Sequence, residues 1–324
     1  MPQSLAFLKL PSSTGRGPRE VPVLTFTAPK AGPTVAVTAN VHGDEATGVG
    51  VVHELAGRLE RLLLRGTVHL YPSLNPEGLI QRSRTVPADG RDLNRVWPGD
   101  ARGGPAERLA HVLWGDLCAR HPDLLIDVHA DAPASIPYAI IDRVVRGSAR
   151  KRKSLEKKTA ELAGATGLTV LHEYPHERYL KYHLDQSLSG AVANELNIPA
   201  VTIESGPRLY LDPGAIDVAT QAALGVLTEL GVCRRPAERH STRLPDGPWR
   251  RESGPRVSQA GVFHALVRPG QPFEAKEPMA EVKTLEGRTL ERIDARQSGF
   301  VVSLPERTWV VPGVAAGTYA ISDA

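Results

Sequence analysis

The sequence predicts an α/β fold: a mixed, largely parallel sheet flanked by helices, followed by a small C-terminal β domain. Three observations carry this. Up to about residue 230, short runs rich in Val, Ile and Thr alternate with longer amphipathic stretches, the pattern of strands joined by helical crossovers. From residue 257 the helical period disappears, and short apolar runs separated by turn residues remain. Between the two lies 234–256, rich in Arg, Pro, Ser and Gly and without a clear period. The expected division is therefore residues 1–233, a linker or surface excursion over 234–256, and a β domain over 257–324.

The elements follow in order. Pro33–Val41 (PTVAVTANV) reads as a buried strand, and 46–64 as a helix with Val49, Val52, Leu55, Leu59 and Leu62 on one side. Thr67–Leu74 is the next strand; 75–99 is irregular, with Asn-Pro, Asp-Gly and Pro-Gly turn signals. A helix over 105–120, a strand over 123–129 and another over 137–142 follow. Then come a charged helix over 148–165, a shorter one over 187–196, a strand over 199–204 and a last helix over 212–230. In the tail, strands are expected at 261–267, 279–285, 300–304 and 318–321.

Composition removes several classes of function. With 39 basic and 36 acidic side chains the net charge is +3, too even for a nucleic-acid binder. No apolar stretch approaches the ~20 residues of a membrane helix. Residues 1–10 lack the basic segment of a secretory signal. Two cysteines, Cys118 and Cys233, do not make a disulfide framework, so a cytoplasmic location is expected. Of the 39 basic residues 30 are Arg, so no single Arg carries meaning without a motif around it.

Four segments, three of them at strand ends, hold the residue types of a hydrolytic site. His42-x-x-Glu45 follows the first strand, and Gly43 turns Glu45 back beside His42. His129 ends the strand DLLIDVH. In a parallel sheet the carboxyl ends of neighbouring strands converge on one crevice. Two imidazoles and a carboxylate with an open fourth position form a catalytic zinc set. Glu204 ends PAVTIE, where a carboxylate beside an activated water can accept its proton and pass it to a leaving amine. Arg84 and the Asp92-Leu93-Asn94-Arg95 run supply guanidiniums that can polarise a carbonyl or hold a carboxylate. Each alone is weak: a strand-end His is usually structural, and HxxE recurs by chance. Their order and spacing together are specific.

Taken together, AxVHGDE (as Ala39–Glu45), NPEG (Asn75–Gly78), RTVPADGRDLNRVWPG (Arg84–Gly99), DVHA (Asp127–Ala130) and TIESG (Thr202–Gly206) resemble the succinylglutamate desuccinylase/aspartoacylase family of the zinc carboxypeptidase superfamily. The resemblance covers about residues 30–230 strongly and the tail more weakly. It implies one zinc ion per chain on His42, Glu45 and His129, with Glu204 as general base and acid. It also implies that Arg84 stabilises the oxyanion, and that Asn94 and Arg95 bind a substrate carboxylate. One departure stands out: Arg84 precedes Asn94 by ten residues, farther than in the better-known members, so aspartate or succinylglutamate specificity does not carry over. Arg82 and Arg91 are rivals for the polarising role.

The implied activity is a zinc-dependent deacylase acting on a small N-acyl amino acid or related acyl amine. The alternatives are a zinc carboxypeptidase, which uses the same atoms, and a non-catalytic binding protein on the same scaffold. No membrane or nucleic-acid partner is expected, and the tail would narrow access to the site or mediate formation of a homo-oligomer. Asp127, on the same strand face as His129, would orient a ligand or pair structurally. His172, His176 and His183, with Tyr174, Tyr179 and Tyr182, read as a pocket-lining loop before a second metal site. Tyr210 is a candidate substrate contact, residues 150–158 a solvated basic helix face, and Cys118 a core residue.

Overall fold

A computed structural model describes residues 4–11, 20–234, 244 and 247–323. Its first strands and helices are β1 (Ser4–Lys9), β2 (Glu20–Thr27), β3 (Thr34–Ala39), α1 (Thr47–Leu62), β4 (Thr67–Tyr71), α2 (Pro76–Gln81) and α3 (Pro105–Ala119). They continue as β5 (Leu124–His129), β6 (Tyr138–Ile141), α4 (Ala149–Gly164), β7 (Thr169–His172), α5 (His176–Lys181), α6 (Leu188–Ala191), β8 (Ala200–Glu204) and α7 (Pro213–Glu229). The tail adds β9 (Trp249–Ser253), β10 (Gly261–Ala265), β11 (Pro272–Phe273), β12 (Pro278–Lys283), β13 (Thr289–Asp294), β14 (Gly299–Ser303), β15 (Trp309–Val310) and β16 (Thr318–Ser322).

Twelve strands form one sheet in the order β1-β2-β4-β3-β5-β8-β6-β7-β9-β16-β14-β11. Its centre, β4-β3-β5-β8, is parallel. Period-2 alternation divides the core between the two faces. Val35, Val37, Leu124, Ile126, Val128, Val201 and Ile203 pack with Val51, Val52, Leu55 and Leu59 of α1 and with Ala219–Leu227 of α7. The opposite face puts Ala36, Leu125 and Ala200 against Leu109, Leu113 and Leu117 of α3 and Leu188 and Ala191 of α6. The alternate residues Thr38, Asp127, His129, Thr202 and Glu204 lie on this second face, toward the carboxyl ends of the strands. From β3 the chain runs to β4 on one side and later to β5 on the other, so the sheet's switch point lies between β3 and β5.

The mixed α/β sheet expected from sequence is present, and so is a separate antiparallel sheet in the tail, ordered β13-β12-β10-β15. The tail does more than form that sheet. Strands β9, β16, β14 and β11 extend the main sheet past β7, with β9 parallel to β7 and antiparallel to β16. Strand β9 lies within the stretch read as a linker or excursion. Its sequence, WRRES, has no apolar alternation, because its polar side chains are paired. Arg250 donates to Glu252 at 2.6 Å, and Glu252 also accepts from Arg178. The rest of that stretch, 235–243 and 245–246, lies outside the described residues. Strands β1 and β2, short α2 and α5, β7, and the tail's β11, β13 and β15 have too few residues or too mixed a pattern to stand out in sequence. The helix expected over 187–196 is α6 followed by a π-helical turn over Val192–Leu196.

The end of the chain is tied back to the catalytic side. Asp323 accepts from both Arg143 terminal nitrogens, at 2.9 and 2.7 Å, and lies 2.5 Å from His172 Nδ1. His172 is thus part of a structural latch. Among the described residues no helix is long and apolar enough to cross a membrane. Residues 150–158 lie on α4, exposed apart from half-buried Arg152 and buried Leu155, as a solvated face requires. Cys118 is only half-buried, because α3 turns it toward the edge of its packed stripe. Replacing Asp323 by Ala removes charged hydrogen bonds that hold β16 beside β7 and β9; it should cost about 1.5–3 kcal/mol, read as a lower urea midpoint.

Candidate metal and catalytic site

The loop after β3 is shaped by Asn40. This buried residue adopts φ 57°, a conformation Asn tolerates better than most side chains. Its Nδ2 donates to the carbonyls of His42, Gly43 and Glu45 at 2.9, 3.0 and 3.2 Å, and its Oδ1 accepts from Ser73 at 2.6 Å. One amide thereby satisfies the carbonyls of a tight turn that no sheet partner can reach. Asn75 caps α2 by accepting from the Gly78 amide at 3.0 Å. The two loops meet closely. A Cβ on Gly43 would lie 2.2 Å from the Gly78 carbonyl carbon.

The result is a three-residue convergence across the β3/β5 switch point. His42 Nδ1 lies 2.7 Å from Glu45 Oε1, and His129 Nδ1 lies 2.8 Å from Glu45 Oε2. All three side chains are buried, and one ligand atom from each lies within 4.8 Å of the others. The second nitrogen of His129 lies 2.9 Å from Asp127 Oδ2, and Asp127 Oδ1 accepts from Thr38 at 2.7 Å. That contact aims His129 Nδ1 at the carboxylate, as outer partners of metal-ligating histidines do. Asp92 Oδ1 lies 3.2 Å from His42 Nε2.

The electrostatics fit a divalent cation. Burial would raise the Glu45 carboxyl, but His42 and His129 outweigh it and hold it well below the usual range. Burial likewise opposes the charge on His129, but Asp127 and Glu45 outweigh it and raise that imidazole well above its ordinary value. A metal ion replaces such protons and supplies the same positive charge. Six carboxyl groups and four guanidiniums line the cavity around this centre. The donors are two neutral-capable imidazoles and one carboxylate, a set suited to zinc.

The cavity measures about 150 Å³ and includes every residue named for the site from sequence: His42, Glu45, Arg84, Asn94, Arg95, His129 and Glu204. Glu204 faces it from the end of β8, opposite His129 in the strand register. Burial pushes its carboxyl up to about 8; His129 opposes this, while Glu45 and Asp131 add to it. Arg84 reaches Glu45 Oε1 at 3.3 Å and Asp92 Oδ2 at 3.4 Å. Of its rivals, Arg91 pairs with Glu107 at 2.9 Å, and neither Arg91 nor Arg82 lines the cavity. Asn94 Oδ1 accepts from the Leu188 amide at 2.7 Å, tying this loop to α6.

Several lining residues were not visible in the sequence. Asp142 and Glu173 follow β6 and β7, and Asp142 continues the face of Tyr138 and Ile140. Arg251 comes from β9, and Arg208, paired with Glu306 of the tail, closes another side. Period-2 reading from Tyr138 was the one signal available for Asp142; Arg251 had none in its Arg-rich surroundings. Among the described residues the His172, His176 and His183 group is no metal cluster and does not line the cavity. Tyr179 instead donates to Asp142 at 2.8 Å, and Tyr210 is 56% exposed and away from the cavity.

Two outcomes follow from these contacts. Gly43→Ala should push the two loops apart and weaken the affinity of the candidate site for added zinc about 10- to 100-fold, measured by competition with a chelating dye. Burial, with Glu173 adding and the Tyr179 hydrogen bond opposing, pushes the Asp142 carboxyl up to about 7. The folded protein then keeps a proton that the unfolded chain loses near 3.8, so this contribution to stability falls as pH rises through that window. Asp142→Asn should flatten the difference in urea midpoint between about pH 5 and about pH 8.

Comparison with known proteins agrees with this architecture. The protein-family description "Succinylglutamate desuccinylase/Aspartoacylase catalytic domain" matches residues 31–230. An N-alpha-acetyl-L-2,4-diaminobutyric acid deacetylase of Halomonas elongata is 30% identical over 194 residues; the match spans 59% of this chain and 56% of that protein. The crystal structure of a succinylglutamate desuccinylase/aspartoacylase from Rhodobacter sphaeroides superposes with a TM-score of 0.80 at 22% identity, covering 99% of this chain and 95% of that one. A metallo-carboxypeptidase from Burkholderia cenocepacia shares the fold less completely, with a TM-score of 0.54 at 18% identity over 70% of this chain and 64% of its own. With the family description matching well over half of its length, the chain belongs to the succinylglutamate desuccinylase/aspartoacylase family.

Proposed function

We propose that this protein is a zinc-dependent deacylase that hydrolyses the amide bond of a small N-acyl amino acid. The observation that carries the reading is the buried convergence of His42, Glu45 and His129 in one cavity with Glu204 and three arginines from the central loops. A zinc ion held by these three residues would supply Lewis acidity toward the substrate carbonyl and a water of lowered pKa.

The remaining chemistry belongs to the chain itself. Glu204 takes a proton from the attacking water and delivers it to the departing amine. Its raised carboxyl, pushed up to about 8, sits where a nearby dication would draw it down into the working range of a base. The Arg84 guanidinium donates to the carbonyl oxygen as negative charge develops there. Asn94 and Arg95 hold the substrate carboxylate, and Arg95 has no carboxylate within ion-pair distance among the described residues. The small cavity, walled by Arg208, Arg251 and Thr318, favours a compact substrate over a peptide. The deacetylase of Halomonas elongata, acting on an acetylated amino acid, supports the same class. Two free cysteines suit a reducing, cytoplasmic setting.

The test is hydrolysis of N-acetyl, N-formyl and N-succinyl amino acids beside blocked dipeptides. Chelator should abolish turnover of the acyl amino acids and zinc should restore it. Glu204→Gln should lower kcat about 10²- to 10⁴-fold while zinc binding is retained. Cleavage of the dipeptides alone would move the protein to the carboxypeptidases.

A further inference from the structure

Arg251 lies outside the segment that matches the family, on a strand whose sequence gave no sign of a site. The register explains how it arrives. Leu171 of β7 pairs with Trp249 of β9, which sets Arg251 beside Glu173, and the side chain joins the cavity that holds Glu204, Asn94 and Arg95. One terminal nitrogen lies 2.7 Å from Glu173 Oε1. The guanidinium carbon stands 5.1 Å from the centre of the Tyr174 ring, so a second support fixes its plane. Its Nε is buried and has no hydrogen-bond partner among the described residues.

A guanidinium has five N–H donors in a fixed fork, and a buried donor without an acceptor is costly. Arg251 therefore carries unused donor capacity into the catalytic cavity while Glu173 and Tyr174 hold it still. Arg95 stands nearby, also without a carboxylate in ion-pair distance among the described residues. Burial lowers the Arg95 guanidinium from its ordinary value, Asp92 opposes, and Arg84 and Arg251 add to the lowering through repulsion. Guanidiniums that repel one another across a shared cavity are brought to rest by an anion between them.

We infer that Arg251 is a substrate-binding residue that, with Arg95, clamps the carboxylate of the acyl amino acid and so restricts the enzyme to substrates that carry one. This rests on the deacylase reading, and it assigns to β9 a direct part in specificity.

The experiment compares N-acetyl-L-alanine with N-ethylacetamide, the same amide without its carboxylate. Arg251→Met should raise KM for N-acetyl-L-alanine by about tenfold or more and shrink the kcat/KM preference for N-acetyl-L-alanine over N-ethylacetamide by a similar factor. Arg251→Lys keeps a charge against Glu173 but loses the fork; it should fold as the wild type does and give an intermediate KM. An equal loss on both amides, or a wild-type KM in either variant, overturns the inference. Calorimetric binding of N-acetyl-L-alanine separates this failure from failure of the deacylase reading. If the wild-type protein turns over none of the N-acetyl, N-formyl and N-succinyl amino acids, the deacylase reading falls. Binding that is lost in Arg251→Met still supports the clamp, and equal binding or none overturns it.

Discussion

Burying the Glu45 carboxylate between two imidazoles is the constraint around which the rest of this structure is arranged. A charged group withdrawn from water at the centre of a sheet is tolerated only if opposite charge is fixed close by. His42 must come from the loop after β3, and His129 from the last position of β5. Those two strands are neighbours only because the chain reverses its direction of winding between them. The switch point thus does electrostatic work: it places two partners on opposite sides of one carboxylate with no long side chain needed to bridge them. A divalent ion fits the same demand, since it supplies positive charge beside the carboxylate without rearranging the sheet.

Holding the three groups in place falls to uncharged residues. Asn40 satisfies three carbonyls of the turn that presents His42 and Glu45, and Ser73 fixes the orientation of Asn40. Gly43 then lets that turn press against the start of α2. The Gly43 amide lies 3.4 Å from the Arg84 carbonyl, so Arg84, the proposed polarising arginine, is positioned from the same turn. Asp92 joins the assembly by capping the turn over residues 93–95 through the Asn94 amide, at 2.8 Å; the same oxygen faces His42, and the other faces Arg84. Distances among the reactive groups are therefore set mostly by backbone geometry and short polar side chains, which have little rotamer freedom to lose.

This division explains what was legible in the sequence. The parallel centre could be read because its strands are apolar on both faces and its helices carry a clear stripe, as in β3 with α1 and β5 with α3. The convergence of His42, Glu45 and His129 could be anticipated because they combine rare residue types with strand-end positions. Asp142 and Glu173 were hidden because an acidic residue after a short strand ordinarily marks a turn. Arg251 was hidden for a stronger reason: its position in the cavity follows from β9 pairing with β7, a contact between residues about eighty apart. Local pattern reports burial and period. It does not report which distant strand will be a neighbour, and β9 has almost no apolar residues to report even the first.

The continuation of the main sheet into the tail supports the proposal of a small substrate. A crevice at the carboxyl ends of parallel strands is open by construction. Here β9 and β16 extend the sheet beyond β7, and their inward residues Arg251 and Thr318 become one wall of the cavity. Arg208 and Glu306 close another side by pairing across the boundary between the two parts of the chain. Walls on these sides lower the local dielectric, and each charged hydrogen bond beside them gains strength. A peptide reaching into the crevice would have to displace paired side chains and strand backbone. The compact acyl amino acid proposed as substrate would need neither. On the proposed reading, the tail would act on specificity through the same hydrogen-bonded register that makes it part of the fold.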